Sequence, residues 1–281
     1  MEIEKLVREA INGNKIALEG VTLAIQDNVY FLALRMLANP EYARDATQEI
    51  LIKVITSLST FKFESQFNTW VYRVAVNYLI SEKKIIDRDS NLTFDIYKED
   101  LESDLQEPLD LQNDPQYHVL LNELRISCTM AMLLCLNPPH RMAYILGDIL
   151  ELEHGEASKI LSVTKENFRK QLSRSRVKII NFTTKSCGLV SDRAKCSCEK
   201  KLTGAVKRQR INSDRVIFSG GNQYSYKEVK ASLLETQQSL RTIDLQNSIK
   251  HYKSPSDLSA IIGTLVIEGV EANKALHRIK R

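Results

Sequence analysis

Between Gly20 and Gly147 this 281-residue chain has no glycine, and it carries only six prolines in all. A stretch so poor in turn formers disfavours hairpins and suits long helices. Long apolar runs are missing as well. A membrane helix needs roughly 18 or more uncharged apolar residues, and the best candidate, 258–270, is short and contains Glu268. No membrane insertion is therefore expected. The opening MEIEKLVREA is charged and amphipathic, without the apolar core of a signal peptide, so a cytoplasmic location is expected. Five cysteines make an odd set, and Cys128 and Cys135 fall in an apolar helical run, which argues against an extracellular disulfide framework. Catalytic groupings are absent too. The histidines are scattered, and no glycine-rich phosphate loop, HExxH or Ser/His/Asp set stands out. The chain reads as a non-enzyme that requires no cofactor.

What is present is helical pattern and uneven charge. Hydrophobic residues make up 43%, enough for real cores, and the net charge is +4. Residues 87–114 are acidic, whereas 169–215 are strongly basic. Periodicity predicts a helix over 21–37. Asn39-Pro40 then reads as an N-cap followed by a first-turn proline, opening a helix to about Leu58 in which Glu49 and Lys53 stand one turn apart. Residues 61–67 read as a loop, and Asn68 can cap a third helix to about Lys84. The expected fold is all-α. Its parts are a helical domain over 1–88, a flexible acidic linker over 89–115, and a second helical domain over 116–184. A basic, cysteine-bearing segment follows over 185–222, and 223–281 returns to helical periodicity with no role apparent.

The most specific local pattern is LEHGEASKILSVTKENFRKQLSRSRVK, residues 152–178. A short helix anchored by Ala157, Ile160 and Leu161 gives way to a tight connection at Ser162 and Val163. A second helix opens at Thr164 and carries Arg169, Lys170, Arg174, Arg176 and Lys178. That is the layout of a helix-turn-helix, whose second helix enters the major groove of DNA. Val163, Phe168 and Leu172 would pack it onto the first helix and leave the cations outward. The bland alternative is an amphipathic hairpin with a solvated basic face.

The third predicted helix offers a second set. Arg73, Asn77 and Lys84 recur on one face, while Trp70, Val71, Val74, Ala75 and Tyr78 supply a buried side. Arg73 and Lys84 suit backbone phosphates, which position without specifying. The Asn77 amide suits a base edge. Phe61, Phe63 and Phe67 in the preceding loop could wall a pocket for an unstacked base, whose extrusion costs a few kcal/mol that the pocket must repay. Trp70, a lone tryptophan in a helix, reads more readily as core, and core is an open reading for Phe61 and Phe67 too.

Two blocks together resemble one family. Asp45-Ala46-Thr47-Gln48-Glu49, Phe61 with Phe67-Asn68-Thr69-Trp70, and Tyr72-Arg73-Val74-Ala75-Val76-Asn77 resemble region 2 of the sigma-70 family, in its small extracytoplasmic-function branch. Leu136-Asn137-Pro138-Pro139 and Gln171-Leu172-Ser173-Arg174-Ser175-Arg176 resemble region 4 of the same branch. The resemblance covers roughly the first two thirds of the chain. It implies an alternative sigma factor, with core RNA polymerase and promoter DNA as partners and an anti-sigma factor as a further candidate. It implies that Asp45, Gln48 and Glu49, otherwise read as a solvated face, bind the clamp helices of the polymerase β′ subunit. The loop with Phe61, Phe63 and Phe67, and the helix with Arg73, Asn77 and Lys84, would recognise the −10 element. Lys165, Asn167, Arg169, Lys170, Ser173 and Arg174 would contact the −35 element. Ser162 stands where the family often has a turn glycine, and Gly155 where it often has an acidic residue. The competing reading is a helix-turn-helix regulator that binds duplex DNA alone, as a dimer on a palindrome.

Cys187, Cys196 and Cys198 form C-x8-C-x-C beside Lys185, Lys195 and Lys200. Three thiolates are one short of a closed tetrahedral zinc site, which His154 or another group would complete. The lysines would alternatively depress the thiol pKa and favour redox sensing. An inert tail is the third reading, and a sensor protein built on this segment is a further class.

Overall fold

The computed structural model describes residues 2–81, 92–108 and 115–211, together with Ile243, Ser254 and Leu258. Among the described residues there are ten α-helices and no strand, as the all-α expectation requires. Helix α1 (Glu2–Ile11) turns at Gly13 into α2 (Lys15–Leu37). The Asn14 side chain accepts from the Ile16 and Ala17 amides at 3.0 and 3.2 Å, so the helix starts six residues before the periodicity placed it. Gly20, taken as a boundary, lies inside the helix where Leu6 of α1 comes across it. From Val29 to Leu37 every residue of α2 is buried, the signature of a helix surrounded by others.

Asn39 caps α3 (Pro40–Ser57) through the Glu41 and Tyr42 amides, with Pro40 in the first turn as predicted. A 3-10 turn at Leu58–Thr60 leads to the aromatic loop and then to α4 (Phe67–Ser81). That helix opens one residue before Asn68, so Asn68 does not cap it. The buried Phe67 anchors its first turn instead.

The predicted flexible linker is in part a helix. Thr93 caps α5 (Phe94–Glu102). Phe94, Tyr97 and Leu101 form a short apolar stripe that the acidic surroundings conceal in the sequence. Tyr97 and Leu101 are buried, and the Phe94 and Tyr97 rings meet Phe182 at 5.1 and 5.6 Å. Of the expected linker, 89–91 and 109–114 lie outside the described residues.

Helix α6 (Pro115–Leu134) is followed by α7 (Pro138–Tyr144), capped by Asn137 and continued by a π-turn at Ile145–Ile149. Arg141 of α7 is fully buried and donates to the carbonyls of Leu133, Leu134, Leu136 and Met36 at 2.5–3.1 Å. One cation thus satisfies carbonyls left over at the ends of both α6 and α2, where the helix dipoles favour positive charge. Helices α8 (His154–Ile160) and α9 (Lys165–Ser186) complete the helix-turn-helix, and α10 (Cys198–Lys207) comes last. A single hydrophobic core runs from α1 through α9. The two helical regions, expected as separate bodies, therefore share it. A smaller cluster of Tyr117, Leu121, Leu124, Leu202, Ala205 and Ile211 joins α6 to α10. Of the expected helical module at 223–281, only three residues are described. Ser254 donates through its amide and hydroxyl to Asp27 of α2 at 2.9 and 2.6 Å, and Leu258 is buried.

Candidate nucleic-acid interface

The aromatic loop is where the sequence reading needs most correction. Phe61, Phe63, Phe67 and Trp70 cluster with ring centroids 4.6–5.9 Å apart. Phe61 and Phe67 are buried in the core, and Phe61 also lines the cleft beside them. The half-buried Phe63 is covered by the Arg8 guanidinium, 3.9 Å from its ring centre. The rings support an open cleft of about 580 Å³ next to them, lined by Lys62, Ser65, Trp70 and Arg73 among others. That volume lies within the roughly 300–1,000 Å³ of ligand-sized pockets. Lys159 of α8 closes one side of it, a contribution from a distant segment that no local pattern announces. On α4, Arg73 and Asn77 are exposed one turn apart, as expected, and Trp70 is half-buried. Lys84 lies outside the described residues.

Helix α3 presents the acidic set. Asp45 and Glu49 are exposed and Gln48 is half-buried, while Ala46, Thr47 and Ile50 turn inward. Asp45 has only a loose 3.8 Å approach from Arg44, so its carboxylate is available to a partner. Lys53 places its ammonium over the Tyr78 ring at 5.6 Å.

In the helix-turn-helix, Thr164 accepts from the Asn167 amide at 3.1 Å and starts α9. Ser162 makes the turn at φ +54°, the left-handed conformation that a glycine would adopt without strain. Phe168 and Leu172 are buried as predicted, and Val163 is half-buried against them. Gly147 lets α9 lie close on the π-turn, since a Cβ there would stand 2.7 Å from a Leu172 methyl and 3.2 Å from the Phe168 ring. Lys165, Asn167, Arg169, Lys170, Ser173 and Arg174 are all exposed on one helix. Lys170 pairs with Glu166 at 2.7 Å, an exposed i,i+4 pair that contributes little. Arg176 departs from the expected outward set. Its Nε donates to both oxygens of the buried Asp148 carboxylate at 2.9 Å, and a second nitrogen bonds the same group. It is a structural clamp between α9 and the π-turn. The two candidate readers also touch, because Thr69 of α4 donates to Glu156 of α8 at 2.6 Å.

The cysteines behave differently from the redox reading. Burial pushes the Cys187 thiol up to about 11 and Cys196 up to about 12, and Cys198 is raised as well. Burial is the largest cause at each thiol, and the one lysine that lowers any of them is Lys201, at Cys196. His154 lies against the Phe168 ring and accepts from Arg169 at 3.4 Å, so it does not complete a thiol site. Among the described residues no three His, Cys, Asp or Glu side chains stand at metal-ligating spacing.

Residues 23–84 match the family described as Sigma-70 region 2, a span that includes α3, the aromatic loop and α4. The chain is 32% identical over 80 residues to the ECF RNA polymerase sigma factor SigW of Bacillus subtilis (strain 168), covering 28% of this chain and 43% of that one.

The chain is similar to members of the sigma-70 family.

Similarity extends further along other members. It is 27% over 160 residues to the ECF RNA polymerase sigma factor SigE of Mycolicibacterium smegmatis, covering 57% of this chain and 58% of that one. It is 28% over 181 residues to the ECF RNA polymerase sigma-E factor of Escherichia coli (strain K12), covering 63% and 91%. The chain thus spans about two fifths to three fifths of the length of the first relatives it matches. The family match holds the acidic face of α3 and the exposed pair on α4, and the helix-turn-helix lies beyond it.

Proposed function

We propose that the chain is an alternative sigma factor that binds core RNA polymerase and directs promoter recognition, DNA melting and transcription initiation. The observation that carries this reading is the cleft of about 580 Å³ beside the exposed Arg73 and Asn77, within the stretch that matches Sigma-70 region 2. In this reading the cleft takes a base out of the stack at the −10 element. Phe61 forms part of its wall and Phe67 packs behind Phe61, Arg73 holds phosphate, and Asn77 meets a base edge. Helix α9 lies in the major groove at the −35 element, with Lys165, Asn167, Arg169, Lys170, Ser173 and Arg174 as contacts. Arginines there can bridge guanine O6 and N7, worth about 1–3 kcal/mol of discrimination each. Asp45, Gln48 and Glu49 form the face for the β′ clamp helices. The protein itself supplies no catalytic chemistry; the polymerase does. The cytoplasm is where these partners are found, and among the described residues no helix is long and apolar enough to cross a membrane. An anti-sigma factor would compete for the same surfaces.

A regulator acting on duplex DNA alone is the rival, and the cleft beside α4 weighs against it, because such a protein has no use for a strand-opening pocket. Run-off transcription with purified core polymerase on a genomic fragment library tests the proposal. Discrete transcripts that depend on the chain are expected. Asp45→Lys with Glu49→Lys should weaken co-purification with core polymerase while helical content is unchanged. Normal co-purification of that double variant would remove the basis for the polymerase face.

A further inference from the structure

The sequence shows three cysteines after the recognition helix, but the fold brings a fourth to them. Cys128 lies on α6, and it lines the same small cavity as Cys187, Cys196 and Cys198. We propose that these four thiols hold one divalent metal ion of zinc's class, which ties α6 to the end of α9 and the start of α10. The inference is independent of the promoter-reading proposal.

The cavity's size decides what it can take. Its volume is about 30 Å³, a little above the roughly 10–15 Å³ that one water needs. That is room for a single ion. Its donors decide which ion. Four sulfurs are the closed structural set of tetrahedral zinc, whereas calcium and magnesium demand oxygen. The thiols line the cavity without being drawn to ligating spacing. Bringing their sulfurs together requires rotamer changes at the cysteines, and such changes run between staggered wells.

The backbone around the cavity is shaped for convergence. Cys187 is the C-cap of α9, and its carbonyl accepts from the Val190 and Ser191 amides at 3.0 and 2.9 Å, which turns the chain back. A Cβ at Gly188 would overlap the Cys196 carbonyl, so only glycine lets the returning strand of the loop pass this close. Ser197 then caps α10, setting Cys198 in its first turn.

Charge fits as well. All five cysteines are free thiols, and burial first, then Cys198, Cys187 and Cys196, raise the Cys128 thiol, which places the four groups in one another's field. On binding, the four S–H bonds give up their protons to bulk water as the ion sheds its hydration shell. The resulting centre carries net charge −2. Arg125, which also pairs with Glu199 at 3.3 Å, and the buried Lys201, which also approaches the Asp100 carboxylate at 3.8 Å, line the cavity and offset part of that charge. Partners beyond the ligands orient them and tune the site. Cys135 is outside this cavity and serves as an internal control.

The test uses the full chain, purified under reducing conditions and reconstituted with Zn(II) alone or Co(II) alone. About one Zn(II) per chain is expected by mass spectrometry of the metal, with loss in Cys128→Ser and retention in Cys135→Ser. Gly188→Ala should also lower occupancy. Sub-stoichiometric zinc in the reconstituted parent would overturn the proposal, and full zinc in a folded Cys128→Ser would overturn the fourth ligand. The Co(II) protein settles the matter without any variant. Intense thiolate charge-transfer and tetrahedral d–d bands are expected, together with four of five thiols protected from a thiol reagent until a chelator is added. A weak octahedral spectrum, or five reactive thiols in the loaded protein, would overturn it.

Discussion

Helices α4 and α9 are assigned the same task and are built in opposite ways. Only four of the fifteen residues of α4 are exposed, against fourteen of the twenty-two in α9. Helix α4 is therefore a core helix with a narrow polar stripe, and its exposed side chains stand on an aromatic floor. Helix α9 is a surface rod pinned along one side by Phe168, Leu172, Ile179 and Phe182, with the Arg176–Asp148 clamp beside them. The difference teaches where substitutions act. On α4 most of them disturb the fold before they disturb recognition, whereas on α9 most are free to change recognition alone.

The largest expected effect tests the floor. Phe67→Ala should cost about 3–5 kcal/mol of stability, the usual loss for a buried aromatic ring. On α9, Val177→Ala removes a side chain that is 55% exposed and should stay within about 0.5 kcal/mol. Urea unfolding followed by circular dichroism measures both. A loss below about 1 kcal/mol at Phe67 would mean that its ring is not a structural anchor, and the contrast between the helices would collapse.

Next come the two readers themselves. Asn77→Ala should weaken −10 selection or opening, and Arg174→Ala should weaken −35 binding. Each should lose about 1–3 kcal/mol at its own promoter position if it contacts bases. Permanganate footprinting and binding to promoter variants separate the two losses. Equal losses on all sequences would make both residues phosphate contacts, which position without specifying.

How much of this was legible beforehand follows the same contrast. The caps at Asn39 and Thr164, the buried Phe168 and Leu172 and the exposed cations of α9 are short-range patterns, and the structure has each of them. The aromatic loop was ambiguous because Phe61 and Phe67 are equally at home stacked on a base or packed in a core. Both pack against Trp70, while Arg8, from a helix some fifty residues earlier, covers the neighbouring Phe63. Helix α5 was missed because three apolar residues among acids resemble a linker until Phe182 is brought against them. Cys128 hid in a helical apolar stripe, where a cysteine reads as a small hydrophobe. Only the fold shows that its side chain reaches the cavity that Cys187, Cys196 and Cys198 surround.

The smallest expected effect asks whether the cationic field of α9 reaches beyond that helix. His140 at the start of α7 has its pKa lowered from 6.5, by burial first and then by Lys178 and Arg174 of α9. Its ring Nδ1 stands 2.6 Å from the Asn137 side-chain oxygen. Because the folded value is depressed, the unfolded chain takes up the proton first as pH falls. Stability should be level above about pH 7, decline as pH drops through the unfolded value near 6.5, and level again below the folded value. His140→Gln should remove that decline in thermal unfolding measured from pH 7.5 to 5.5. The same field is neutralised when phosphates bind α9, so the complex should favour the protonated ring. Binding of a −35 duplex should then tighten modestly as pH falls from 7 to 6, in parent but not in His140→Gln, and the effect should shrink with added salt. Helix α4 contains no histidine, so opening at the −10 element should not share this dependence. Identical pH profiles for parent and variant would show that the charges of α9 act only at its own surface.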